Sequence, residues 1–288
     1  MEEAAAIEAR ELARATEVTD STVLREHDGR VWARSISVRQ RVLGLLLPAC
    51  LLAVWELVTR WHWIKPVFLP APREVVVAFY DMVVNQGLWT DFRVSATSVG
   101  EGFLLGGVLG LLAGFASGLS RTVERLLGPT LNSLRQVPTL AWLPLIVLWA
   151  GAGTFAKSVI IGKAVFFPVF LNTLQGIRGV PREYIEVARV FAYPRWLLVR
   201  RVILPSALPS ILVGLRYGAG LAWAFVIAAE MIGSRFGLGY LLMRSQELLL
   251  TAQLFVVILI IGAVGFGVDL GLRRIETRLL RWRKGFEG

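Results

Sequence analysis

Long apolar runs dominate this chain and decide what it can fold into. Six of them follow one another, at about 42–59, 95–119, 129–150, 155–177, 211–232 and 249–272. Several approach the roughly 20 apolar residues that carry a helix across the hydrocarbon of a bilayer. A soluble protein with these runs would have to hide several long apolar helices in one core at once. The composition agrees: 55% of residues are hydrophobic and 18% are charged, against about 25% charged in soluble domains. The expected fold class is therefore an all-α integral membrane protein with about six transmembrane helices. The 1–41 stretch holds Glu2, Glu3, Glu8, Glu11 and Glu17 and no apolar core, so it reads as a cytoplasmic tail rather than a cleavable signal. The 42–285 stretch is the membrane domain.

Charge gives the orientation. Of the 31 Lys and Arg residues, 22 fall before the first run, around the junction of the second and third with Arg135 counted there, between the fourth and fifth, and after the sixth. The alternate loops hold seven, counting Lys157 at the start of the fourth run. Excess Lys and Arg marks the cytoplasmic side, which predicts cytoplasmic termini and accounts for the net charge of +10 without nucleic acid. Cys50 is the one cysteine, and His27 and His62 are the two histidines, so a Cys/His metal cluster within one chain is excluded. No G-x-x-x-x-G-K-S/T phosphate loop occurs, and no H-E-x-x-H or G-x-S-x-G motif. The chain is expected not to hydrolyse ATP and not to be an enzyme.

Within the runs, three features stand out. Gly102, Gly106, Gly110, Gly114 and Gly118 recur every fourth residue. That stripe reads as static helix packing before it reads as a moving pore lining. Pro138 and Pro144 predict kinks in the third run. Glu56, Glu101, Lys163, Arg216 and Glu230 are charges in or near spans, where such groups line a polar path or reach water from a helix end. Lys163, Arg216, Tyr217, Trp223 and Glu230 are the candidates for a translocation path.

The 178–209 insert interrupts the apolar pattern. It carries prolines at 181, 194, 205 and 209. Glu183 and Glu186 follow Pro181, as suits the start of a helix. Pro194 breaks the run, and a second short helix over 196–203 is expected to end at Leu204-Pro205. Two short helices at the membrane face make a knob for another protein, or else an ordinary basic loop.

The residues EVARVFAYPRWLLVRRVILP resemble the E-A-A, three residues, G, nine residues, I-x-L-P signature of binding-protein-dependent ABC importer permeases. Glu186, Ala188, Leu204 and Pro205 match it; Val187, Ala192 and Val202 depart from it, Ala192 standing where the signature has a turn glycine. FLPAP at 68–72, VPTLAWLPL at 137–145, AAEMIG at 228–233 and GLGYL at 237–241 are similar to the nitrate, sulfonate, taurine and bicarbonate branch. The resemblance implies a type I ABC importer fold in a bacterial inner membrane and a role as a passive subunit. Two permease chains, as a homodimer or with a similar chain, would form the path. Separate ATPase subunits would bind ATP and Mg2+, and an extracytoplasmic binding protein would deliver a small oxyanion. It assigns ATPase coupling to Glu183, Glu186, Ala188, Arg189, Ala192, Leu204 and Pro205. The rivals are an ion-coupled secondary transporter, whose related halves are not evident here, a membrane adaptor that docks without transport, and the same class of importer carrying bicarbonate or a small organic or vitamin precursor.

Overall fold

The computed structural model describes residues 38–61, 63–151 and 153–280, with side chains from residue 46 onward. The chain divides into two units, 1–61 and 62–288. The first unit is described by its helix α1 (Val38–Arg60), a 23-residue element with Pro48 inside it. Leu46, Leu47, Leu51, Leu52, Val54 and Leu57 are exposed along it, as expected for the first apolar run. The 1–37 part of the expected tail lies outside the described residues.

Among the described residues the second unit is helical throughout. Its elements are α2 (Pro72–Val84), α3 (Leu88–Leu119), α4 (Arg121–Gln136), α5 (Leu143–Ala150), α6 (Thr154–Arg178), α7 (Arg182–Val190), α8 (Arg195–Leu198), α9 (Leu204–Gly233), α10 (Leu238–Glu247) and α11 (Thr251–Leu279). Four uninterrupted helical stretches are long and apolar enough to cross a bilayer: α3, α6, the α8–α9 rod and α11.

The core is α6, packed between α3 and α9. The glycine stripe of α3 makes the first contact possible. A Cβ on Gly106 would lie 2.1 Å from the Gly162 carbonyl oxygen, and one on Gly102 would lie 2.5 Å from Ile161 Cβ. Gly110, Gly114 and Gly118 meet Val169, Thr173 and Ile177 in the same way. The stripe is a packing surface within one chain, as the sequence suggests. On the other flank, Gly214 and Gly218 of α9 bring it against Asn172 and Val165 of α6. Without a hydrophobic drive between helices in lipid, such close approach is what holds them together.

Two expectations change. The third apolar run is not one kinked helix. Helix α4 stops at Gln136, Val137 is extended at φ −76 and ψ 118, and a 3-10 turn over Thr139–Trp142 leads into the eight-residue α5. Pro138 denies Val137 the helical region, and Pro144 stands in the first turn of α5, where no N–H is needed. The second change concerns Leu204-Pro205. These residues do not end a helix, because α8, a π-turn over Val199–Ile203 and α9 form one rod over Arg195–Gly233. Pro205 falls in the first α-helical turn after the wider π-turn, which accommodates its missing N–H.

Candidate coupling and translocation sites

At the end of the molecule where α6 stops, α7 forms a nine-residue amphipathic helix. Ala188 is buried, and Ile185 packs on a cluster of Ile177, Val180, Ile203, Ala207 and Ile211. Positions three apart share a helix face, so this pair seats α7 on the ends of α6 and α9. The opposite face is open. Glu183, Glu186 and Arg189 are exposed there, and with them Tyr184, Val187 and Val190, the last at 84%.

The end of α7 shows what the departure at Ala192 demands of the backbone. Its φ is 52, in the left-handed region. The Ala192 N–H donates to the Arg189 carbonyl at 2.9 Å, and the Tyr193 N–H donates to the Ala188 carbonyl at 3.0 Å. That pair of bonds is a Schellman cap, whose left-handed residue is usually glycine. Ala192 keeps the bend that the signature glycine would make. The chain then turns at Pro194 into the α8–α9 rod, whose α9 segment starts at Leu204 and Pro205. All seven coupling candidates therefore lie on α7, its cap, or the first residues of α9.

The five path candidates do not converge on one site. Glu230 is fully buried at the far end of α9. Its Oε2 accepts from Ser95 Oγ at 2.7 Å and from the Gly239 N–H at 3.0 Å. Lys157 Nζ stands 3.7 Å from Oε1 and donates to Ser234 Oγ at 3.3 Å. Ser95 Oγ also accepts from the Leu238 N–H at 2.9 Å, and Asp91 Oδ1 accepts from the Gly237 N–H at 2.7 Å. Three consecutive N–H groups at the start of α10 are thus satisfied by side chains of α3 and α9, as a helix N-terminus requires. Gly237 and Gly239 permit this closeness: a Cβ on Gly237 would lie 2.3 Å from Glu230 Cδ. Trp223 is likewise buried, its Nε1–H donating to the Ile261 carbonyl at 2.9 Å.

Arg216 is half-buried and bound by two carboxylates of α11, Asp269 at 2.7 Å and Glu276 at 3.4 Å. Tyr217 beside it is 61% exposed. The two border a cleft of about 370 Å³ with Val213, Gly220 and Asp269. Lys163 lies elsewhere, on the wall of an open cavity of about 700 Å³ bounded by α3, α4, α5 and α6. Glu101, also flagged by its charge, accepts from Ser158 Oγ at 2.9 Å. Asp91, Ser95 and Lys157 were not singled out by sequence reasoning. Their signal was polarity near the start of apolar runs, which on its own reads as an interfacial position.

Comparison with known proteins gives the family. Residues 106–281 match the family described as binding-protein-dependent transport system inner membrane component. SsuC of Bacillus subtilis, a permease named for aliphatic sulfonates transport, is 39% identical over 85% of this chain and 89% of its own length. The taurine transport system permease TauC of Escherichia coli is 36% identical over 89% of this chain and 95% of its own. CmpB of Synechococcus elongatus, named for bicarbonate transport, is 30% identical over 85% of this chain and 91% of its own. The inward-facing MetNI methionine ABC transporter shares the fold with a TM-score of 0.52 at 20% identity, over 67% of this chain and 94% of that one. The chain belongs to the inner-membrane permeases of binding-protein-dependent ABC importers, transport subunits that work with a substrate-binding protein and with a separate ATPase that uses ATP.

Proposed function

We propose that this permease imports a small organic or inorganic oxyanion, with aliphatic sulfonates and taurine ahead of nitrate and bicarbonate. It acts by alternating access, as a homodimer with both termini in the cytoplasm. The observation that carries the coupling half of this reading is α7. It is a short, rigidly capped helix with its inner face on the ends of two spans and its outer face bare. Glu183, Glu186 and Arg189 on that outer face meet the ATPase. Ala188 and Ala192 fix the helix, and Leu204 and Pro205 begin the α9 segment of the rod that carries its movement into the membrane. A stiff element with contacts at both ends transmits a rigid-body shift. The substrate half rests on the names of relatives at 39% and 36% identity.

Uptake of labelled taurine and hexane-1-sulfonate into proteoliposomes holding the permease and its ATPase, with binding protein outside, tests both halves. Uptake that needs ATP and the binding protein is expected. Uptake driven by an ion gradient without ATPase would make the chain a secondary transporter, and ATPase docking without any uptake would make it an adaptor.

A further inference from the structure

We infer that Lys163 is a transit site for the anionic head of an amphiphilic organic solute whose apolar tail occupies the neighbouring cavity. This rests on the import reading above and names the group that would meet the substrate inside the membrane. Lys163 is the tenth residue of the 25-residue α6. At about 1.5 Å per residue it stands roughly 14 Å from the helix start, well inside a helix long enough to span the hydrocarbon. A charge at that depth is costly without a partner. Lys157 and Arg216 have theirs in Glu230, Asp269 and Glu276. Lys163 is held by neutral groups: the Val137 carbonyl at 3.1 Å, Thr139 Oγ1 at 3.4 Å, and the faces of Trp142 and Phe167 at 5.7 and 5.6 Å. Among the described residues no carboxylate pairs with it.

An ammonium group has three N–H donors, so after Val137 and Thr139 one remains. The cavity beside it, about 700 Å³, is walled by Leu105, Leu131, Trp142, Phe155, Phe166 and Phe167. It offers a single cation and an otherwise apolar lining. That combination fits a sulfonate or carboxylate carrying several methylenes better than a bare inorganic anion, because the tail replaces no hydrogen bonds when it enters. The broken helix matters here. Only because α4 ends at Gln136 is the Val137 carbonyl free of a helical partner and able to orient the ammonium group.

The test uses the permease–ATPase complex in nanodiscs with Cys50→Ser and Val159→Cys, residue 159 lying on the cavity wall one helical turn from Lys163. The new thiol is labelled with a sulfonate-bearing and a trimethylammonium-bearing methanethiosulfonate. A rate ratio favouring the anion by roughly tenfold is expected. It should collapse in Lys163→Met and Lys163→Gln and return in Lys163→Arg. Hexane-1-sulfonate should slow labelling only where a cation stands at 163. An unchanged ratio in Lys163→Met would overturn the site. So would protection by anionic lipid but not by hexane-1-sulfonate. If Lys163→Met and Lys163→Gln fail to assemble with the ATPase while Lys163→Arg succeeds, the counterion is a structural carboxylate of a second copy and the site also falls. A Lys163-dependent ratio with hexane-1-sulfonate protection, but without sulfonate uptake by the unaltered transporter, would overturn the sulfonate reading of the preceding section and leave the anion site standing.

Discussion

Ala192 holds a left-handed backbone, φ 52, without being glycine. That conformation costs an L-residue about 1 kcal/mol or more, which the cap bonds to Arg189 and Ala188 offset. Ala192→Gly should therefore raise the thermal midpoint of the purified complex, or leave it level if added backbone freedom cancels the relief; a fall would show that the methyl group packs. Gly106 is constrained from the opposite direction. With a Cβ 2.1 Å from the Gly162 oxygen, Gly106→Ala must push α3 off α6. Overpacking of this kind costs about 1–3 kcal/mol, and a lower yield of monodisperse protein by size exclusion is the expected readout. At Glu230, substitution by Ala would strand Lys157, Ser95 and the Gly239 N–H in a buried site. Breaking a buried pair from one side costs about 3–5 kcal/mol. Glu230→Gln keeps an acceptor for Ser95 and Gly239, so thermal melts should rank it between Glu230→Ala and the parent chain.

The elements form a rod and a foot. The Arg195–Gly233 rod runs 39 residues from beside α7 to the buried Glu230 knot; on the coupling reading proposed above, a tilt of α7 would reach α10 through this one continuous helix. Glu186→Lys reverses charge on the foot's open face without touching Ile185 or Ala188 beneath it. It should reduce substrate-stimulated ATP hydrolysis while the permease stays folded; normal stimulation and uptake would remove Glu186 from the interface. The exposed Val187 gives an independent readout. With Cys50→Ser, Val187→Cys should label quickly in the permease alone and slowly once the ATPase is bound. Equal rates would mean that α7 faces solvent in the assembled transporter.

At the scale of the whole molecule, the long helices leave much apolar surface uncovered. Only 11% of the most apolar window of α11 and 33% of that of α3 are buried within the chain. Lipid would take part of the remainder, and in the homodimer proposed above a second permease chain would take another part. A homodimer predicts two identical permeases per complex, which native mass spectrometry of the assembly would count; one permease paired with a different chain would replace it. Orientation has its own measurement. A thiol-reactive label that cannot cross the membrane should reach Val187→Cys only from the cytoplasmic side of oriented vesicles.

The apolar runs, the charge asymmetry and the signature around Glu186 were legible in the sequence because each is a local pattern. So was the glycine stripe, whose period alone implies a close helix neighbour. The sequence also marked Ala192 as an anomaly, and the structure showed why glycine is the usual residue there, a left-handed backbone angle. What the sequence left open was partnership. Glu230 meets Ser95 across 135 positions, Arg216 meets Asp269 across 53, and Lys163 meets Val137 across 26. Pairings at that separation leave no spacing to read. By itself, then, the sequence determined that this chain is a helical membrane permease with a polar two-helix insert between its apolar runs. The tertiary structure alone decided which of its intramembrane charges are neutralised, because a charge in hydrocarbon is defined by what folds against it.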